Sequence, residues 1–155
     1  MLCEADIKVS WRSRPRGFIA LMSLYESNYL RFARLAGDLR AQCGTLVSRV
    51  AGDCELVLTV IEQTRYTSAL NLTYLLPAAA GRSDALPERT PDMRLRAYHD
   101  ARLLEAEELR PNQRTVPGSS GGAPGERELR QRWQRNMMLN KWLEYCAERG
   151  HRFSG

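Results

Sequence analysis

The sequence predicts a single α+β domain, an antiparallel sheet of about four strands flanked by an N-terminal and a C-terminal helix. Three observations lead there. Apolar residues recur at helical spacing near both ends, the middle alternates with a period of two, and a glycine-containing connection joins two of the alternating runs.

The first helix is read from Ser23. Ser23-Leu-Tyr-Glu26 has the form of a capping box, in which hydroxyl and carboxylate each satisfy an orphan amide. Met22, Tyr25, Tyr29, Phe32 and Ala36 then repeat at helical spacing, and Gly37 is a natural stop. Strands follow at 44–50 and 55–62, joined through Ala51-Gly52-Asp53. Leu56, Leu58 and Val60 line one side of the second run, and Val57, Thr59 and Ile61 the other. Apolar residues on both sides mark a central strand.

The run 68–76 sets Leu70, Leu72, Tyr74 and Leu76 against Ala69, Asn71 and Thr73. Pro77, Gly81, Pro87 and Pro91 make 77–92 a loop. Another strand at 93–98 turns Met93, Leu95 and Ala97 inward and Arg94, Arg96 and Tyr98 outward. The run 103–109 fits either strand or helix. Leu129, Trp133, Asn136, Leu139, Leu143 and Cys146 define the last helix, which Gly150 ends. Asn136 lies on a largely apolar face, so it needs a partner such as a strand end or a loop carbonyl.

The expected layout is a poorly ordered extension at 1–21, one domain at 22–150 and a tail at 151–155. A flexible loop near 110–125 carries Gly118-Ser-Ser-Gly-Gly122, without the spacing or lysine of a phosphate-binding loop. A 43% hydrophobic content excludes a disordered chain. No apolar run approaches the ~20 residues that span a bilayer, which excludes an integral helical membrane protein.

The net charge of +5 sits at the ends. Residues 1–21 carry +2 and residues 126–155 carry +3, whereas 22–125 balances to zero. A broad basic face is therefore not indicated, and nucleic acid is not the expected partner. Cys3, Cys43, Cys54 and Cys146 form no Cys-x-x-Cys pair and no Cys/His cluster. No metal or cofactor is called for, and the thiols read as reduced, in keeping with the cytoplasm.

Two polar clusters mark strand ends. One contains Glu62, Arg65 and Tyr66; the other contains Arg96, Tyr98, His99 and Asp100. If they converged, the arginines could grip an anion, the tyrosines could orient it, and His99 with Asp100 could move protons. Each residue also has a structural reading. Arg65 with Glu62 can be a local ion pair, the tyrosines can pack across strands, and His99-Asp100 can be a turn. Sequential neighbours on a strand point to opposite faces, which weakens a dyad. No Gly-x-Ser-x-Gly or His-Glu-x-x-His motif supports catalysis.

The same residues carry a family likeness. Met22-Ser-Leu-Tyr-Glu-Ser-Asn28, Glu62-x-Thr-Arg-Tyr-Thr67, Arg96-x-Tyr-His-Asp-Ala101 and Asn136-x-x-Leu-x-x-Trp-Leu-x-Tyr-Cys146 resemble the YqiB-like proteins. These are small bacterial cytoplasmic proteins, classed as a domain of unknown function. The likeness runs from about Met22 to Gly150, although the family's Tyr-Pro-Asn run is reduced here to Pro111-Asn112. The resemblance implies no activity, cofactor or catalytic residue. The leading expectation is a non-enzymatic cytoplasmic binding or adaptor protein with an acidic protein partner. The alternative is an enzyme or sensor for a small anionic, nucleotide-like ligand at the two clusters.

Overall fold

A computed structural model describes residues 17–77, 88–110 and 124–153. Most of the expected N-terminal extension (1–16) and of the expected flexible loop (111–123) lies outside these residues. The element order is α1 (Phe18–Ala36), a short 3-10 turn (Leu39–Ala41), β1 (Thr45–Ser48), β2 (Glu55–Gln63), β3 (Thr67–Leu76), β4 (Glu88–Tyr98), β5 (Leu103–Leu109) and α2 (Pro124–Glu148). The five strands form an antiparallel meander in chain order. The sheet thus gains one strand over the expected four, because the ambiguous run 103–109 pairs with β4.

Helix α1 begins at Phe18 rather than Ser23, and its N-cap Gly17 makes no side-chain cap bond. The apolar stripe extends backward through Ala20 and Leu21, both buried. Burying a large aliphatic side chain contributes ~1.5–3 kcal/mol, more than the ~1 kcal/mol of a cap at Ser23. At the other end Gly37 takes φ +68°, and its amide bonds Ala33 O at 2.8 Å. Strand β4 likewise starts at Glu88, so Pro91 lies in a strand instead of a loop. A register irregularity between Thr73 and Leu75 accommodates it, since proline cannot donate to a regular ladder.

One face of the sheet is the core face. Leu58, Leu72 and Met93 lie side by side across β2, β3 and β4, and Leu70 and Leu95 form the next row. Phe32 and Leu35 of α1, with Leu139, Leu143 and Cys146 of α2, pack in the same cluster. Beyond Gly150 the chain keeps packing: Phe153 is buried in this core, and its amide bonds Leu35 O at 2.9 Å. A second cluster joins Leu21, Leu24 and Tyr25 to Leu103 of β5 and Leu129, Trp133 and Met137 of α2.

The β5 edge is closed by polar side chains. Asn28 Nδ2 donates to Leu104 O, Asn136 Oδ1 accepts from the Ala106 amide at 2.7 Å, and Arg135 Nε donates to Ala106 O. Asn136 thus finds its partner not at a strand end or a loop carbonyl but at a backbone amide in the middle of the β5 edge. A bulge at Glu107, between the Arg94 and Leu95 pairings, adds an extra residue to this strand.

Candidate functional site

The two strand-end motifs meet through their backbones, and their side chains diverge. Thr67 faces Tyr98 across β3 and β4, and the His99 amide bonds Tyr66 O at 2.9 Å. Arg65 and Tyr66 are exposed on the β2–β3 turn, with the guanidinium 5.4 Å from the Tyr66 ring centre. Arg65 thus stacks on its neighbour instead of pairing with Glu62. Such an exposed contact is worth ~0.5 kcal/mol, so Arg65→Ala should change urea-unfolding stability by no more than that.

Arg96 projects from the sheet face opposite the core and bonds the Glu107 carboxylate. That hydrogen bond and its charge raise the Arg96 pKa, and Glu62 adds a smaller push. The arginine expected to grip an anion therefore already holds a carboxylate. Tyr98, on the same face, donates to Glu105 Oε1 at 2.9 Å. Burial first, and then this carboxylate, push its hydroxyl up to about 12.

His99 turns to the core face. Its Nε2 is 2.8 Å from Ser68 Oγ, its Nδ1 is 3.5 Å from the Tyr29 hydroxyl, and it is buried. Burial first, and Arg40 second, lower its pKa below the ordinary 6.5. Asp100 is exposed and faces Arg40 at 3.6 Å. His99 and Asp100 consequently share no atom-to-atom contact with Arg96, and one anion cannot reach all three.

A constellation that sequence reading missed lies at the opposite end of the sheet. Ser48 Oγ is 2.9 Å from His151 Nδ1, and His151 Nε2 is 2.8 Å from Asp53 Oδ2. The residue types match a hydrolytic triad, but the setting does not. Ser48 and His151 are each 4% exposed, and the serine hydroxyl also accepts the Arg152 amide. A nucleophile so enclosed has no room for an acyl group. The Tyr74 hydroxyl completes the set, donating to Asp53 and lying 3.3 Å from Cys146 Sγ. Burial, above all, pushes the Cys146 thiol up to about 11, which keeps it protonated and inert.

A concave feature lies where the N-terminal parts of both helices meet β5. A groove of about 350 Å³ is lined by Phe18, Leu21, Met22 and Tyr25 of α1, Leu129 and Arg132 of α2, and Tyr98, Ala101, Leu103 and Glu105 of the β4–β5 hairpin. Phe18 on its rim is 72% exposed. Tyr25 is only 5% exposed, and its hydroxyl makes no well-formed hydrogen bond, only a loose one to the Glu105 carboxylate. Burial first, and then the charge of Glu105 and the hydrogen bond to it, push that hydroxyl up to about 12, while Arg132 and Arg135 act in the opposite sense. Of the seven residues singled out from the sequence, Tyr98 is the one that lines this groove.

Among the described residues no group of three or more histidine, cysteine, aspartate or glutamate side chains is placed to hold a metal ion. No helix among them is long and apolar enough to cross a membrane. A family described as "Protein of unknown function (DUF1249)" matches residues 31–152. The chain is 29% identical over 136 residues to the "Uncharacterized protein YqiB" of Escherichia coli strain K12, covering 86% of this chain and 90% of that protein. The proteins of the same name from Escherichia coli O6:H1 and O157:H7 match with the same identity and coverage. No solved structure matches the chain.

Proposed function

The chain belongs to this DUF1249 family, and from that premise we propose that it is a non-enzymatic binding protein whose ligand surface is the groove between α1, α2 and β5. The observation that carries the reading is the groove itself, apolar on its walls and holding the polar groups of Tyr25, Tyr98, Glu105 and Arg132. An apolar pocket with a few convergent polar groups is the usual form of a small-ligand site. The strand-end motifs support the reading through Tyr98, which presents the Glu105 carboxylate to the groove. The ordered Arg96–Glu107 pair stands beside it as scaffold.

Ala101 lies on the rim and is exposed, so Ala101→Trp can fill the groove without disturbing the core. In a screen of small molecules by amide chemical shifts, binders should perturb Leu21, Tyr98, Leu103 and Leu129 and lose at least ~10-fold in affinity in Ala101→Trp. Binding that centres elsewhere, or that survives Ala101→Trp unchanged, would overturn the proposal.

A further inference from the structure

Among the described residues, the groove carries one acidic and one basic side chain that do not pair with each other. Glu105 stands on the β5 wall, where its Oε1 accepts from the Tyr98 hydroxyl; among the described residues no cation lies within 4.0 Å of it. Arg132 stands on the α2 wall and uses one terminal nitrogen on Glu128 at 2.7 Å, which leaves its other N–H groups for a ligand. Tyr25 lies close enough to both to feel their opposite charges, and its hydroxyl bonds Glu105 only loosely. The remaining lining among the described residues is apolar or aromatic.

Two opposed charges across an apolar slot call for a ligand with two charges and an apolar body. Size narrows the class. At about 350 Å³ the groove lies at the lower end of ligand pockets, which suits one small molecule and is too small for a partner helix. We infer that it takes a free apolar α-amino acid, its ammonium on Glu105, its carboxylate on Arg132, and its side chain among Phe18, Leu21, Leu103 and Leu129. A simple anion would meet Glu105 unfavourably, and a simple cation would meet Arg132; the zwitterion satisfies both. This rests on the groove being the ligand surface.

The test is titration calorimetry of the full chain with L-tryptophan, L-phenylalanine and L-leucine, set against N-acetyl-L-tryptophan and L-tryptophanamide. Each blocked analogue lacks one charge and should bind at least ~10-fold more weakly than tryptophan. Glu105→Gln should lose the discrimination against the N-acetyl compound and keep that against the amide; Arg132→Gln should do the reverse. Arg132 is half-exposed, and Glu105→Gln can still accept from Tyr98, so both variants should fold. Equal binding of free and blocked forms, or discrimination untouched by either substitution, would sink the amino-acid assignment. If no apolar amino acid binds while another small molecule still occupies the groove, the assignment fails and the groove reading survives. If nothing binds there, both fail.

Discussion

Phe153→Ala is expected to lower stability by about 3–5 kcal/mol and His151→Ala by about 2–3 kcal/mol, both read as falls in urea midpoint at unchanged slope. These residues follow the last helix, in a stretch whose sequence suggests nothing more than a tail. Phe153 is 4% exposed within the main core, so its removal leaves a cavity beside Leu35. His151 holds Ser48 on one ring nitrogen and Asp53 on the other, tying the end of α2 to β1 and to the β1–β2 turn. Without it Asp53 keeps the Tyr74 hydroxyl and the Cys54 amide, and loses its shortest contact.

The same tie should respond to acid. Burial raises the Asp53 pKa, but the Cys54 amide and the bonds from His151 and Tyr74 outweigh it and leave the carboxyl below the ordinary 3.8. A carboxylate with a depressed folded pKa contributes stability that is complete above its unfolded value and is lost as pH falls through the folded one. The gap between wild type and His151→Ala should therefore narrow below pH 3.8. A gap constant down to acid unfolding would mean that His151 acts by packing alone.

Period-two alternation placed Leu70, Leu72, Met93 and Leu95 on one face correctly, because a strand's faces are fixed by parity alone. The parity of neighbours also weakens a His99–Asp100 dyad, and the two do part company, His99 on Ser68 and Asp100 on Arg40. Strand β5 was not legible, since Leu103-Leu-Glu-Ala-Glu-Glu-Leu109 is built of good helix formers and only pairing with β4 decides its state. The Arg96–Glu107 bond depends on the β5 bulge, which shifts the partner of each later residue and has no local signature here. The Ser48–His151 pair is separated by 103 residues, and nothing in either neighbourhood announces the other. The groove was hidden for a similar reason. Tyr25 reads as one more residue of a core stripe until β5 and α2 are set beside it.

Asn136→Ala is expected to cost about 3 kcal/mol, the sum of an abandoned amide and a partly abandoned asparagine. Asn136 is fully buried between α1, α2 and β5. Its Oδ1 accepts from the Ala106 amide at 2.7 Å and from Asn28 Nδ2 at 3.3 Å, and its Nδ2 donates to Arg132 O at 2.8 Å. Alanine leaves the Ala106 N–H dry and unpaired, and Asn28 keeps only the bond to Leu104 O for that nitrogen. Asn140→Ala should cost less, about 1 kcal/mol, because Asn28 Oδ1 and Ser27 Oγ are the groups it abandons and no strand amide is among them. The comparison isolates the edge-closing role, for both asparagines lie on the same helix and both are buried. Hydrogen exchange gives the decisive reading: the Ala106 amide should lose protection in Asn136→Ala and keep it in Asn140→Ala. An uncovered edge strand is also a template for pairing with another chain, so Asn136→Ala should aggregate at concentrations where Asn140→Ala stays monodisperse by light scattering. Retained protection at Ala106 would show that the edge is closed by Arg135 and Asn28 without it.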